Sequence, residues 1–159
     1  MCRYEAIATD LTDNFGRRAL FTRLGADATK ALIVTKRLLI YLTEAQVGAL
    51  AGDLAAEPAF QWWLIDIAGA RRLTVMQRRW GRDLRSGNAP FQFAPAAGTE
   101  FFRPFGWREP EFRSAGGESL RLKRSMPMMR VWRFLSRLGP AKNREEFDRM
   151  SGNVLMARA

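Results

Sequence analysis

A chain of 159 residues with 47% apolar and 26% charged residues has the make-up of one globular domain, which excludes wholesale disorder. Its net charge of +10 comes mainly from 22 arginines against 4 lysines, so its partners are anionic or its solvated faces are simply arginine-rich. With no histidine and one cysteine, Cys2, the sequence excludes an internal disulfide, a zinc cluster and a histidine-based nucleophilic site, and it points to a reducing, cytoplasmic setting.

In chain order, Glu5-Ala6-Ile7-Ala8-Thr9-Asp10 reads as a short strand ending in a carboxylate. Glu5 and Asp10 also interrupt any secretory signal core. A polar turn follows, then a helix over roughly Phe15 to Leu24, closed by Gly25. Ala31 to Thr35 is β-branched and apolar on both faces, as expected of a strand covered by helices on either side. Lys36 and Arg37 come directly after it. A bilayer-spanning helix needs about 20 apolar residues, and this cation pair breaks the best candidate, so no membrane span is expected.

Thr43 opens a helix with a complete start signal. Its hydroxyl can accept from the Gln46 backbone N–H while Gln46 reaches back, a capping box, and Leu42 and Val47 stand at staple positions. Val47, Leu50, Ala51 and Leu54 share one face, and Pro58 ends the element. Phe60 to Ile67 is a second buried strand. Arg71 to Arg85 is helical, with Leu73, Met76, Trp80 and Leu84 spaced by three and four. Gly87 to Gly98 is a connection, Glu100 to Phe105 a short helix, and Trp107 to Ser114 a strand. A basic stretch from Leu120 to Leu138 is broken by Pro127. Lys142 to Met150 is a polar helix, and Val154 to Arg158 a final strand. Strands alternating with helices predict a single α/β domain over residues 1–159, with a largely parallel sheet covered on both faces. Ligands of such sheets sit at the carboxyl ends of the strands, where Asp10 and Lys36–Arg37 fall.

Two segments carry a resemblance. Ile7-Ala8-Thr9-Asp10-Leu11-Thr12-Asp13 and Leu32-Ile33-Val34-Thr35-Lys36-Arg37-Leu38-Leu39-Ile40-Tyr41-Leu42-Thr43 resemble the second half of the leucine carboxyl methyltransferase-like family. Phe105-Gly106-Trp107 and Arg149-Met150-Ser151-Gly152 resemble its downstream pattern. The resemblance implies a class I, Rossmann-like methyltransferase sheet using S-adenosyl-L-methionine. It also implies methyl transfer to a carboxylate or hydroxyl of a small molecule, and a strand order of 3-2-1-4-5-7-6. Strands 1 and 2 and their glycine-rich turn have no counterpart in this sequence, so an incomplete sheet and weak or no activity are expected. The strand from Ala31 would then present a bare hydrophobic edge, so the chain must pair its strands abnormally, dimerise or borrow a partner.

The resemblance also implies cofactor-binding residues. Asp10 would accept from the adenine amino group, and the Leu11 N–H would face a ring nitrogen. Taken alone, Asp10 reads as a turn or helix-capping residue. Lys36 departs from the pattern, because the family has Glu there, close to the methionine end of the cofactor. Lys36 would repel the cofactor's ammonium, at about 4 kcal/mol for unit charges ~4 Å apart at intermediate dielectric. No catalytic residue is identified, and no metal site is expected.

Other signals each keep two readings. Arg71, Arg72, Arg78, Arg79, Arg82 and Arg85 with Trp80 form either a nucleic-acid face or an amphipathic helix with solvated arginines. Arg121, Lys123, Arg124, Arg130, Arg133 and Arg137 with Trp132 invite the same choice. Met126, Met128 and Met129 read as gap-filling core. Asp66 closes a strand, as an acceptor-orienting group or a loop cap. The competing function is a non-catalytic basic module that binds nucleic acid or another polyanion.

Overall fold

The computed structural model describes residues 4–69, 73, 74, 76–79, 81, 90–124, 149 and 151–159. Helix α1 (Asn14–Ala26) starts at Asp13, whose carboxylate accepts from the N–H groups of Phe15 and Gly16. Strand β1 (Ala31–Thr35) leads through a 3-10 turn (Leu39–Tyr41) into helix α2 (Glu44–Ala56). The predicted capping box is formed: Gln46 N–H donates to Thr43 Oγ1 at 3.2 Å and Thr43 N–H to Gln46 Oε1 at 2.8 Å. Strand β2 (Phe60–Ala68) follows, then a 3-10 helix (Gly98–Phe105), strand β3 (Trp107–Ser114), helix α3 (Ala115–Arg121) and strand β4 (Ser151–Arg158).

The four strands form one sheet in the order β1-β2-β4-β3. Taken as strands 4, 5, 6 and 7, the observed elements give the 4-5-7-6 end of the expected order, so the fold is an incomplete Rossmann-like α/β sheet. The ladder β1–β2 is parallel, whereas β4 runs antiparallel to both neighbours. Three strands thus point one way, but only one ladder is parallel, fewer than expected. The far edge strand, β3, is irregular between Arg108 and Glu111, where Pro110 falls. An edge tolerates a residue that cannot donate to a ladder.

One face of the sheet carries the core. Trp63, Ile65, Val154, Met156 and Trp107 are buried beneath α2, whose Val47, Leu50, Ala51 and Leu54 face inward. The Trp63 ring meets Phe102 at 5.4 Å and Trp107 at 5.5 Å, both edge-on. Both indole donors are satisfied: Trp63 Nε1 donates to Thr35 Oγ1, and Trp107 Nε1 to the Ala51 carbonyl. Gly48 lets α2 pack closely on the 3-10 helix, because a Cβ there would lie 2.7 Å from the Phe105 ring and force that ring to shift.

Two expectations fail. Residues 5–10 form no strand and are exposed, with Tyr4 and Ile7 also in solvent. An extended segment becomes a strand only against a ladder partner, and among the described residues β1 is the edge of the sheet with β2 as its one neighbour. Nor is β1 covered on both faces: Leu32 and Val34 are 52% and 57% exposed, and Trp62 beside them is 39% exposed. β4 also begins earlier than expected, at Ser151.

The helix expected from Arg71 to Arg85 is observed at residues 73, 74, 76–79 and 81. Arg71, Arg72, Trp80, Arg82 and Arg85 lie outside the described residues, as do Cys2, the methionine cluster, the basic stretch beyond Arg124 and all of 142–150 except Arg149.

Helices α1 and α2 are joined by a buried ion pair. Arg17 is 1% exposed; its Nε donates to Asp53 Oδ2 at 2.9 Å, and its Nη2 makes a second, closer contact to the same oxygen. The remaining donors reach the Leu11 carbonyl and Asn14 Oδ1. Removing Asp53 leaves a buried guanidinium uncompensated. Asp53→Ala should therefore cost about 3–5 kcal/mol in urea unfolding, while the doubly apolar Arg17→Met/Asp53→Leu should recover most of it.

Candidate functional site

The parallel strands β1 and β2 end side by side, with Thr35 paired to Ile65. Just beyond, Arg37 adopts a left-handed backbone with φ of 53°. That conformation costs a non-glycine residue about 1–2 kcal/mol, so something must hold it. Asp66 does: its Oδ1 accepts from the Arg37 N–H at 2.8 Å. Its Oδ2 lies 3.7 Å from Lys36 Nζ, which also donates to Asn153 Oδ1 at 3.1 Å. Asp66 and Asn153 are themselves opposite each other in the β2–β4 ladder. Lys36 therefore spans a cross-strand pair.

These residues line a cavity of about 420 Å³ at the carboxyl ends of β1 and β2. Its other wall is aromatic: Tyr41 and Phe91 sit 5.5 Å apart between ring centres. The wall is tied down by backbone, since the N–H groups of Gln92 and Phe93 both donate to the Ile40 carbonyl. Gln92 Nε2 adds a bond to the Tyr41 carbonyl, and Gln77 Nε2 one to that of Phe91. One carboxylate, two cations and two rings suit a ligand that has a planar ring beside an ammonium, a carboxylate or both. Among the described residues no group of three His, Cys, Asp or Glu side chains could hold a metal.

The sequence-predicted residues are divided by the structure. Lys36 lines this cavity; Asp10 and Leu11 are not among its lining residues. Asp10 is exposed and its Oδ1 accepts from both the N–H and the hydroxyl of Thr12, each at 2.8 Å. The backbone bond, then the hydroxyl bond, hold its carboxyl below the usual range. Leu11 is half-buried against the core, with its carbonyl taken by Arg17. Sequence reasoning missed Tyr41, Phe91 and Asn153. None had a signal in the sequence: even Asn153 falls just before the expected final strand, which starts at Val154.

A second cavity, of about 700 Å³, lies against Trp107, Glu109, Arg149 and Ala159. Burial pushes the Glu109 carboxyl up, but hydrogen bonds from Arg149 and Thr99 and the Arg149 charge outweigh it, leaving it below its usual value. With its carboxylate engaged by these partners, Glu109 serves as a structural tie.

Among solved structures, a DUF574 family protein from Streptomyces avermitilis matches with a TM-score of 0.54 and 14% identity, over 96% of this chain and 54% of that one. Magnesium protoporphyrin IX methyltransferase from Synechocystis PCC 6803, crystallised with bound SAH, matches with a TM-score of 0.49 and 12% identity, over 96% and 50%. No family model and no curated protein matches. At these identities the first likeness concerns the fold alone. The chain spans about half the length of these solved structures.

Lys36 is held by a carboxylate, so replacing it with another carboxylate reverses a local attraction. In Lys36→Glu the new group and Asp66 would share one site, and the pKa of one of them would rise. A raised acid favours the fold below the unfolded value, near 4.3 for Glu, and loses that advantage as pH rises through the folded value. Thermal melts should therefore show Lys36→Glu close to the parent at about pH 4 and less stable at pH 7. The difference should be no more than about 1 kcal/mol, because Lys36 is largely in solvent.

Proposed function

We propose that the chain is the C-terminal part of a class I methyltransferase domain of the leucine carboxyl methyltransferase-like type. Its ligand is S-adenosyl-L-methionine, and its reaction is methyl transfer to a carboxylate or hydroxyl oxygen of a small molecule. The observation that carries this reading is the ligand-sized cavity at the carboxyl ends of two parallel strands, in the 4-5-7-6 part of that sheet order. The donor set suits the cofactor. Arg37, whose turn Asp66 holds, offers a cation to a carboxylate, and Tyr41 with Phe91 gives a ring a flat surface. Lys36 does not count against this, because Asp66 and Asn153 already engage its charge.

The cofactor, when bound, supplies an electrophilic methyl group. What this chain's residues contribute is position: Asp66 fixes the Arg37 turn, and the rings exclude water from one wall. A carboxylate acceptor is already anionic and needs no base, which fits a chain without histidine. As 159 residues the chain is expected to turn over weakly or not at all.

The β1 edge, unpaired among the described residues, supports a second copy of the chain as a partner. Ala31 to Thr35 carries no charge or proline, and two-fold antiparallel pairing would bring Leu32 and Val34 of the two copies together. Val34→Lys should convert dimer to monomer in sedimentation velocity.

Calorimetric titration with S-adenosylmethionine and its demethylated product tests the central reading. Binding of either one, lost in Asp66→Ala, is the expected result. The competing reading, a basic module for nucleic acid or another polyanion, predicts instead an affinity for single-stranded oligonucleotides that falls steeply with salt. Oligonucleotide binding without cofactor binding would decide for that module.

A further inference from the structure

We propose that Arg37 is the anion-recognition residue of the cavity, taking the carboxylate of a small ligand whose planar ring lies against Tyr41 and Phe91. This stands on the cavity itself and holds whether or not methyl transfer occurs there. Three observations converge on it. First, Arg37 occupies a backbone conformation that glycine or asparagine would adopt at less cost, with φ of 53°. Strain of this kind persists where the surroundings impose it, and it clusters at ligand sites.

Secondly, the charges in the cavity are already apportioned. The one carboxylate among these residues, Asp66, is committed to the Arg37 N–H at 2.8 Å and to Lys36 at 3.7 Å. Lys36 is further committed to Asn153. The Arg37 guanidinium has no carboxylate partner among the described residues, though it lines the same space. A planar, fully ionised fork of donors is the group best shaped for a carboxylate. Thirdly, the wall presented with it is the Tyr41–Phe91 pair, 5.5 Å between centres and fastened to the Ile40 and Tyr41 carbonyls. An anion with no ring would leave that wall unused; a ring with no anion would leave the guanidinium unused.

The carboxylate could belong to an aromatic acid or to the amino-acid end of an adenosyl thioether. Benzoate, benzyl alcohol, S-adenosylhomocysteine and its decarboxylated analogue separate these sources in NMR-detected titrations of the 159-residue chain. Benzoate should bind about tenfold tighter than benzyl alcohol, as expected for loss of one charge-assisted contact. Arg37→Gly should lower benzoate affinity about tenfold while its melting temperature stays level or rises, since glycine relieves the strained backbone. That rise separates lost recognition from lost folding. Arg37→Lys should keep part of the affinity. If S-adenosylhomocysteine outbinds its decarboxylated analogue only when Arg37 is present, the carboxylate is that of the thioether; if the two bind alike while benzoate depends on Arg37, it is that of an aromatic acid. Equal benzoate affinity in the parent and Arg37→Gly would overturn the assignment, as would equal binding of benzoate and benzyl alcohol by the parent, or no benzoate binding at all. Failure of both thioethers beside a positive benzoate result would count against the methyltransferase reading alone.

Discussion

The fold is organised around Trp63. Its ring sits in the middle of β2, is fully buried, and lies edge-on to Phe102 and Trp107. Those contacts fasten the 3-10 helix and the start of β3 to the sheet. Its indole N–H crosses to Thr35 Oγ1, the last residue of β1. A buried donor left unpaired would cost about 1–3 kcal/mol, so the hydroxyl at Thr35 fixes where β1 must stop relative to β2. The part of the cavity lining that follows β1 begins one residue later, at Lys36. Lys36 and the turn at Arg37 follow that contact directly in the chain, and Asp66 and Asn153 then hold them.

The same layer explains why the two faces of the sheet differ. Side chains of β1 and β2 alternate, so Thr35, Trp63 and Ile65 point into the core, while Leu32, Val34 and Trp62 point away from it. Apolar residues on both faces are the signature of a strand meant to be covered twice. Among the described residues it is covered once. The open face is also the face on which Lys36, Asp66 and Asn153 stand, so the charged end of the cavity continues an apolar surface directly. Such a surface attracts either another polypeptide or a ligand with an apolar body.

What could be read from the sequence follows from how local each determinant is. The helix after Thr43 was legible because its cap, staple and apolar face all lie within a dozen residues, and all were found in place. Phe60 to Ile67 was legible from its apolar run, whereas Trp107 to Ser114 has only Trp107 and Phe112 as apolar anchors. Residues 5–10 misled for a physical reason: a strand is a property of a pair, and β-propensity says nothing about whether a neighbour exists. The cavity was half legible. Lys36 and Arg37 announced themselves as cations at a strand end, and Asp66 could be read as a loop cap. Asn153 lies 117 positions from Lys36, and only the antiparallel return of β4 brings them together. No local pattern carries that information.

Two adjacent cations interrupting an apolar run look costly if both are assigned to the core. They are not in the core. Lys36 closes the open face, where one carboxylate and one amide oxygen take its donors, and Arg37 turns the chain away through a conformation that Asp66 secures by the backbone alone. The division matters for chemistry. Had Asp66 met the Arg37 guanidinium, the one carboxylate of the cavity would be shared by both cations and neither would be left for an anion. Because it grips the N–H instead, the Arg37 backbone is fixed while its guanidinium has no carboxylate partner among the described residues. One carboxylate thus secures both the Lys36 charge and the Arg37 backbone, and the proposed anion site draws on the charge that remains.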